Sequence, residues 1–130
     1  MKKILKRVTA MCCAIVMVTS ISANARTVTD EKNSNLGSCS VQAKSVCNEY
    51  SAYGSTSTSL SSSNSVNSNY VYINMTSFKT GESNKSTSVS SYSNTVNFSA
   101  PSGCKSVQIS SSHYAAYNGD SVNLKTKAVW

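Results

Sequence analysis

The chain has 130 residues and a formal charge of +7, from 12 basic and 5 acidic side chains; only 13% of residues are charged, and one is proline. Lys2, Lys3, Lys6 and Arg7 sit in the first 25 residues without an acid, so the other 105 hold 8 basic against 5 acidic groups. With 27 Ser, 12 Asn and 9 Thr among those 105, this excludes a multidomain protein, a coiled coil, a helical bundle and a strongly basic nucleic-acid binder.

Met1 to Arg7 is a basic head, and Val8 to Ile21 is mostly apolar, centred on Ala14-Ile15-Val16-Met17-Val18. Ala23-Asn24-Ala25 supplies the small residues of an A-x-A exit before Arg26. This is the pattern of a secretory signal peptide over 1–25, cleaved on export. The apolar run is shorter than the roughly 20 residues a bilayer span requires, and no second run follows. The expectation is a secreted chain with no membrane span after cleavage. Cys12 and Cys13 precede the apolar core, where a lipid-modified cysteine would follow it.

Residues 26–130 contain 17 Leu, Ile, Val and Phe, few enough to raise the question of disorder. Two properties oppose it. Net charge is small, so little repulsion holds the chain open. The apolar residues it does have are chiefly Val and Tyr, and Thr is abundant, the types that fit a pleated, half-buried surface. The segment 26–37 has no period and reads as a flexible leader, and 38–130 as one small β domain.

Ser38 to Tyr53 is the first strand region, with Val41, Ala43 and Cys47 on one parity and Gln42, Lys44 and Asn48 on the other. The stretch 51–69 is low-complexity, with Leu60 and Val66 its only aliphatic residues, and reads as a Ser/Asn-rich loop or an edge strand. Asn69 to Lys79 is a second strand, with Val71, Ile73 and Met75 on one face and Tyr70, Tyr72 and Phe78 on the other. A turn cluster over 80–84 follows. Val89 to Ala100 is a weaker run in which Tyr92, Val96, Phe98 and Ala100 share parity, closed by Pro101-Ser102-Gly103.

Asn118-Gly119 lies between two alternating runs and is the preferred pair for a type I′ hairpin turn. A two-residue loop there opposes Tyr117 with Asp120. It sets one face as Val107–Trp130, Ile109–Ala128, Ser111–Thr126, His113–Leu124 and Ala115–Val122. The other face carries Gln108, Ser110, Ser112 and Tyr114 beside Val129, Lys127, Lys125 and Asn123. A slip by one residue would mix the faces, so turn chemistry and pattern select one register. Short strands, no helical period and irregular turns predict an all-β protein, a small antiparallel β-sandwich or partial barrel after the cleaved signal peptide.

Cys39, Cys47 and Cys104 remain after cleavage, and an exported chain meets a compartment where disulfides persist. Three pairings are open. Chain entropy favours the long loops, and Cys47–Cys104, tying the first strand to the hairpin, is the expected bridge; in an anaerobic source all three stay reduced. A Cys39, Cys47, Cys104 and His113 zinc site lacks the short C-x₂₋₄-C spacing, so no metal or other cofactor is expected.

His113 is the one histidine. A small hydrolase would recruit it with Asp120 and one of Ser110, Ser111 or Ser112, yet Asp120 stands at the hairpin tip, some 13 Å of strand away. Packing opposite Leu124 is the simpler role. Tyr114 beside Lys125 and Lys127 forms an aromatic-plus-lysine patch on the outward face, of the kind that gives rigid contact area within adaptable polar surroundings. The sequence therefore points to a secreted, non-catalytic β-sheet protein in a binding or cell-surface role, its partner a cell-wall glycan or a surface protein. A bacteriocin-like cationic antagonist is the alternative.

Overall fold

The computed structural model describes residues 26–130; the signal segment expected over 1–25 lies outside them. Six strands account for almost all of it: β1 (Thr27–Leu36), β2 (Cys39–Asn48), β3 (Ser51–Asn74), β4 (Thr80–Ser99), β5 (Cys104–Tyr117) and β6 (Asp120–Val129). All pairings are antiparallel, in the order β1-β2-β3-β5-β6, with β4 along the other edge of β3. The all-β expectation holds, and the sheet curls into a nearly closed barrel. No helix among the described residues is long and apolar enough to cross a membrane.

The long strand β3 organises the fold. Its 24 residues would run about 80 Å if straight, several times the radius of a domain this size, so the strand must bend. It does so between Ser57 and Ser62, where the β3–β4 register breaks. The first half of β3 pairs with β2, and the second half with β5. Two half-sheets therefore face one another, with β3 and β4 passing through both.

The inward side of β3 is continuous across the bend: Ala52, Gly54, Thr56, Thr58, Ser62, Asn64, Val66, Ser68 and Tyr70 are all buried. Most are small and polar. Such a face can meet its opposite closely, which keeps the interior thin, and it explains why 51–69 does not read as core. The segment is a central strand, neither a loop nor an edge. The expected flexible leader at 26–37 is also corrected: 27–36 is β1, paired along its whole length with β2. A mostly exposed strand gives no apolar alternation to read.

Two apolar clusters fill the ends of the barrel. One contains Cys47, Ala52, Val66, Tyr70, Val96, Phe98, Ile109 and Ala128, with Phe98 stacked on Tyr70 at 5.0 Å between ring centres. The other contains Leu36, Cys39, Val41 and Ala115, flanked by Leu60, Tyr117, Val122 and Leu124. The open edges are closed by side chains instead of ladders. Across β1 and β6, the Lys127 backbone N–H donates to Asp30 Oδ2 at 2.7 Å, and Trp130 Nε1–H donates to the Arg26 carbonyl at 2.9 Å. Between the two halves of β4, Asn94 donates to the Thr87 carbonyl and Lys85 to the Asn97 carbonyl.

The β5–β6 hairpin has the expected register, from Tyr117 opposite Asp120 to Gln108 opposite Val129. Asn118 and Gly119 have φ of 50° and 84°, as a type I′ turn requires. One local departure appears at Val107. A bulge opposite Val71 and Tyr72 shifts the parity, so that Ser106 and Cys104 turn inward. Met75 and Phe78 lie beyond the end of β3 in the β3–β4 turn, so neither belongs to a strand face.

The three cysteines are buried free thiols, so the expected Cys47–Cys104 bridge is not formed. Cys39 and Cys47 stand at opposite ends of β2, about 27 Å apart at the rise of an extended strand, and lie in different clusters. That separation rules out a bridge between them.

Candidate functional site

His113 sits inside the barrel at 2% exposure, between the two apolar clusters. Its Nδ1 lies 3.0 Å from Thr56 Oγ1 and its Nε2 2.8 Å from Thr126 Oγ1. From Thr126 the contacts continue to Ser45 at 2.6 Å, then Ser111 at 2.7 Å, then Ser68 at 2.8 Å, all buried. The inward positions of β2, β3, β5 and β6 thus form a belt of hydroxyls around one imidazole. Burial lowers the His113 pKa to about 4, while a hydrogen bond with the Ser55 backbone and the charge of Asp30 pull weakly upward. The ring is neutral at physiological pH.

That environment bears directly on the hydrolase reading. Both ring nitrogens are engaged by buried threonines, Ser110 and Ser112 face outward, and Asp120 pairs with Tyr117 at the hairpin end. The proposed triad members are not brought together. Nor are Cys39, Cys47, Cys104 and His113: among the described residues no group of three or more His, Cys, Asp or Glu is placed to hold a metal ion.

The outward face of β3, β5 and β6 is more open. Tyr114, Lys125 and Lys127 share it, as the hairpin register implies, with Tyr114 beside Asn123 and Ser65 and the lysines beside Ser112 and Ser110. A shallow trough of about 510 Å³ crosses this face, lined by Lys125 and Lys127 of β6, Ser110 and Ser112 of β5, Asn67 and Asn69 of β3, and Asp30 and Lys32 of β1. Tyr114 stands one pair further along, 37% exposed.

Charge in the trough is uneven. Among the described residues the ion pairs are Lys44–Glu31 and Lys105–Glu49, so Lys32, Lys125 and Lys127 keep their charges unpaired. The one carboxylate there, Asp30, accepts the Lys127 backbone N–H. Three cations thus flank a floor of hydroxyls and amides. Lys32, Asn67 and Asn69 were missed by sequence reasoning because they arrive from segments read as leader and loop. For Asn67 and Asn69 the outward parity shows in the burial of β3 and hardly in its polarity, and Lys32 on β1 carries no such signal.

Comparison with protein-family models, curated proteins and solved structures found no significant match to this chain.

Proposed function

We propose that this is an exported, non-catalytic β-barrel domain that binds an anionic cell-wall glycan across the outward face of β3, β5 and β6. The observation that carries the reading is the trough itself: Lys32, Lys125 and Lys127 gathered from two distant strands over Ser110, Ser112, Asn67 and Asn69. Short hydroxyl and amide side chains suit the many donors and acceptors of a sugar chain, and ammonium groups on long, adaptable stems suit spaced phosphate or carboxylate groups. Tyr114 adds a rigid aromatic edge on the same face. An open shallow surface fits one stretch of an extended polymer better than an enclosed small molecule. Export rests on the basic head, apolar run and A-x-A exit of residues 1–25.

The test is retention of the 26–130 domain on insoluble cell-wall glycan before and after its anionic polymers are stripped. Retention is expected on the intact material, weakened by salt, and reduced in the double variant Lys125→Gln, Lys127→Gln and in Tyr114→Ala. Equal retention on stripped material, or by the double variant, would remove the trough from the binding reaction.

A further inference from the structure

The end of the barrel opposite the Asn118-Gly119 turn carries three loops: 49–50 between β2 and β3, 75–79 between β3 and β4, and 100–103 between β4 and β5. Backbone hydrogen bonds tie them into one unit. Ala100 N–H donates to the Tyr50 carbonyl at 2.7 Å, and Met75 N–H to the Gly103 carbonyl at 3.1 Å. Within the longest loop, Phe78 N–H donates to the Asn74 carbonyl, and Asn74 Oδ1 accepts from the N–H groups of Thr76 and Ser77.

This braced end exposes apolar side chains. Phe78 is 87% exposed, Tyr50 58% and Met75 49%. Phe78 also holds φ of 52°, a left-handed conformation that a bulky residue adopts only against a steric cost and where glycine or asparagine is usual. A large aromatic is thus fixed, under strain, where it points at solvent. Scattered exposed apolar residues need no explanation, but three from adjoining loops with this geometry do.

We infer that this end is a lipid-docking tip, with Phe78 and Met75 entering the interfacial region of an anionic bilayer and Tyr50 at headgroup level. Two features favour a lipid surface over a protein. The apolar groups are separate protrusions on loop tips, which a fluid interface accepts one by one, whereas a stable protein contact requires a complementary surface of about 800 Å² per partner. Cations flank the tip as well: Arg26 and Lys79 have no carboxylate partner within the ion-pair limit, Glu49 is paired with Lys105 at 2.7 Å, and against these cations stands one unpaired acid, Glu82, three residues beyond Lys79 on β4. Aromatic and methionine tips combined with basic residues suit the boundary between headgroups and acyl chains. This surface shares no residue with the trough, so the two inferences stand or fall separately.

The experiment is co-sedimentation of the 26–130 domain with vesicles of phosphatidylcholine alone and of phosphatidylcholine mixed with phosphatidylglycerol. Partitioning is expected on the mixed vesicles. Phe78→Ser should weaken it about tenfold, and Met75→Ser with Phe78→Ser further, because each removes one inserted apolar group. Lys125→Gln with Lys127→Gln should leave it within about twofold. A Phe78→Trp variant should show a blue-shifted emission change on vesicle addition beyond that of Trp130 alone. No partitioning, equal partitioning onto neutral vesicles, loss through the trough lysines alone, or self-association through Phe78 without vesicle binding would each overturn the assignment. Circular dichroism of each variant against the parent checks that Phe78, an exposed loop residue, was replaced without unfolding the barrel.

Discussion

The hydroxyl of Thr126 donates to Nε2 of His113, and this bond fixes the direction of the three that run on through Ser45 and Ser111 to Ser68. Thr56 Oγ1–H is committed to the Ser65 carbonyl at 3.0 Å, so Thr56 can only accept from the ring, and Nδ1 carries the proton. In the neutral ring Nε2 is then an acceptor. Thr126 must supply its single hydrogen there, so Ser45 donates to Thr126, Ser111 to Ser45 and Ser68 to Ser111. One tautomer and one hydrogen-bond direction satisfy all six side chains, which is how a polar interior avoids the desolvation cost of unpaired groups.

Protonating His113 breaks that order, because Nε2–H would meet the Thr126 hydrogen. The folded-state pKa is about 4 against an ordinary value of 6.5, so the unfolded chain binds more protons between those values. The stabilising contribution is fully present above about pH 6.5 and is lost as pH falls towards 4, amounting to about 3 kcal/mol. Urea unfolding at pH 7 and pH 4.5 measures it. In His113→Gln the difference over this window should shrink to what the carboxylates contribute; an equal difference in both proteins would refute the mechanism.

Thr126→Val keeps the shape and removes the hydroxyl that joins His113 to Ser45. Two buried partners then lose a bond at once, and a loss of about 2–4 kcal/mol is expected from chemical denaturation. Ser68→Ala, at the donor end of the chain, strands only the acceptor capacity of Ser111 and should cost about 1 kcal/mol. Similar costs at the two positions would mean that the belt has no direction.

Gly54 faces this belt from β3, and a methyl group there would lie 2.6 Å from Ser111 Oγ and closer still to Ser68 Oγ. Both oxygens are held by their own hydrogen bonds and cannot yield without breaking them. Gly54→Ala should therefore destabilise by about 2–3 kcal/mol, the usual cost of overpacking a tight interior. A melting temperature equal to the parent's would contradict the close approach of the two half-sheets.

The hairpin was legible because two independent signals agreed: Asn118-Gly119 demanded a two-residue turn, and Ile109, Ala115, Val122 and Ala128 sorted onto one side. The longest strand was not, since its inward residues alternate with its outward ones in burial and hardly in polarity: Thr56, Ser62 and Ser68 look the same in a sequence as Ser55, Ser63 and Asn67. β1 was hidden although it pairs with its sequence neighbour β2, because a mostly exposed strand shows no apolar alternation; only its contacts with the end of the chain, through Asp30 and Trp130, span some hundred residues. The candidate site divides likewise. Tyr114, Lys125 and Lys127 follow from one local register, whereas Lys32, Asn67 and Asn69 join them only through the curl of the sheet.

Burial also governs the thiols. The Cys47 pKa is pushed up to about 11 by desolvation, which outweighs a lowering contact with the Trp130 backbone. A thiol so poor in thiolate, and enclosed in an apolar cluster, is a slow nucleophile. Treatment of the native domain with iodoacetamide near pH 8, followed by intact mass, should leave Cys47 unlabelled, and Cys39 and Cys104 should be protected by their burial. Denatured protein should take up three labels. Rapid native labelling at Cys47 would contradict its enclosure.

Phe78 carries the last prediction, which separates stability from use. Its φ of 52° suits glycine, and its side chain makes no use of burial, being 87% exposed. Phe78→Gly removes the clash between Cβ and backbone that disfavours this conformation, at the cost of a more flexible unfolded chain, for a net gain of about 1 kcal/mol. For a domain of this size that raises the melting temperature by about 4–8 °C. The same variant should lose vesicle partitioning as Phe78→Ser does. A more stable protein that no longer docks would locate the reason for the strained aromatic outside the fold, at the surface it meets; a variant less stable than the parent would place that reason within the turn.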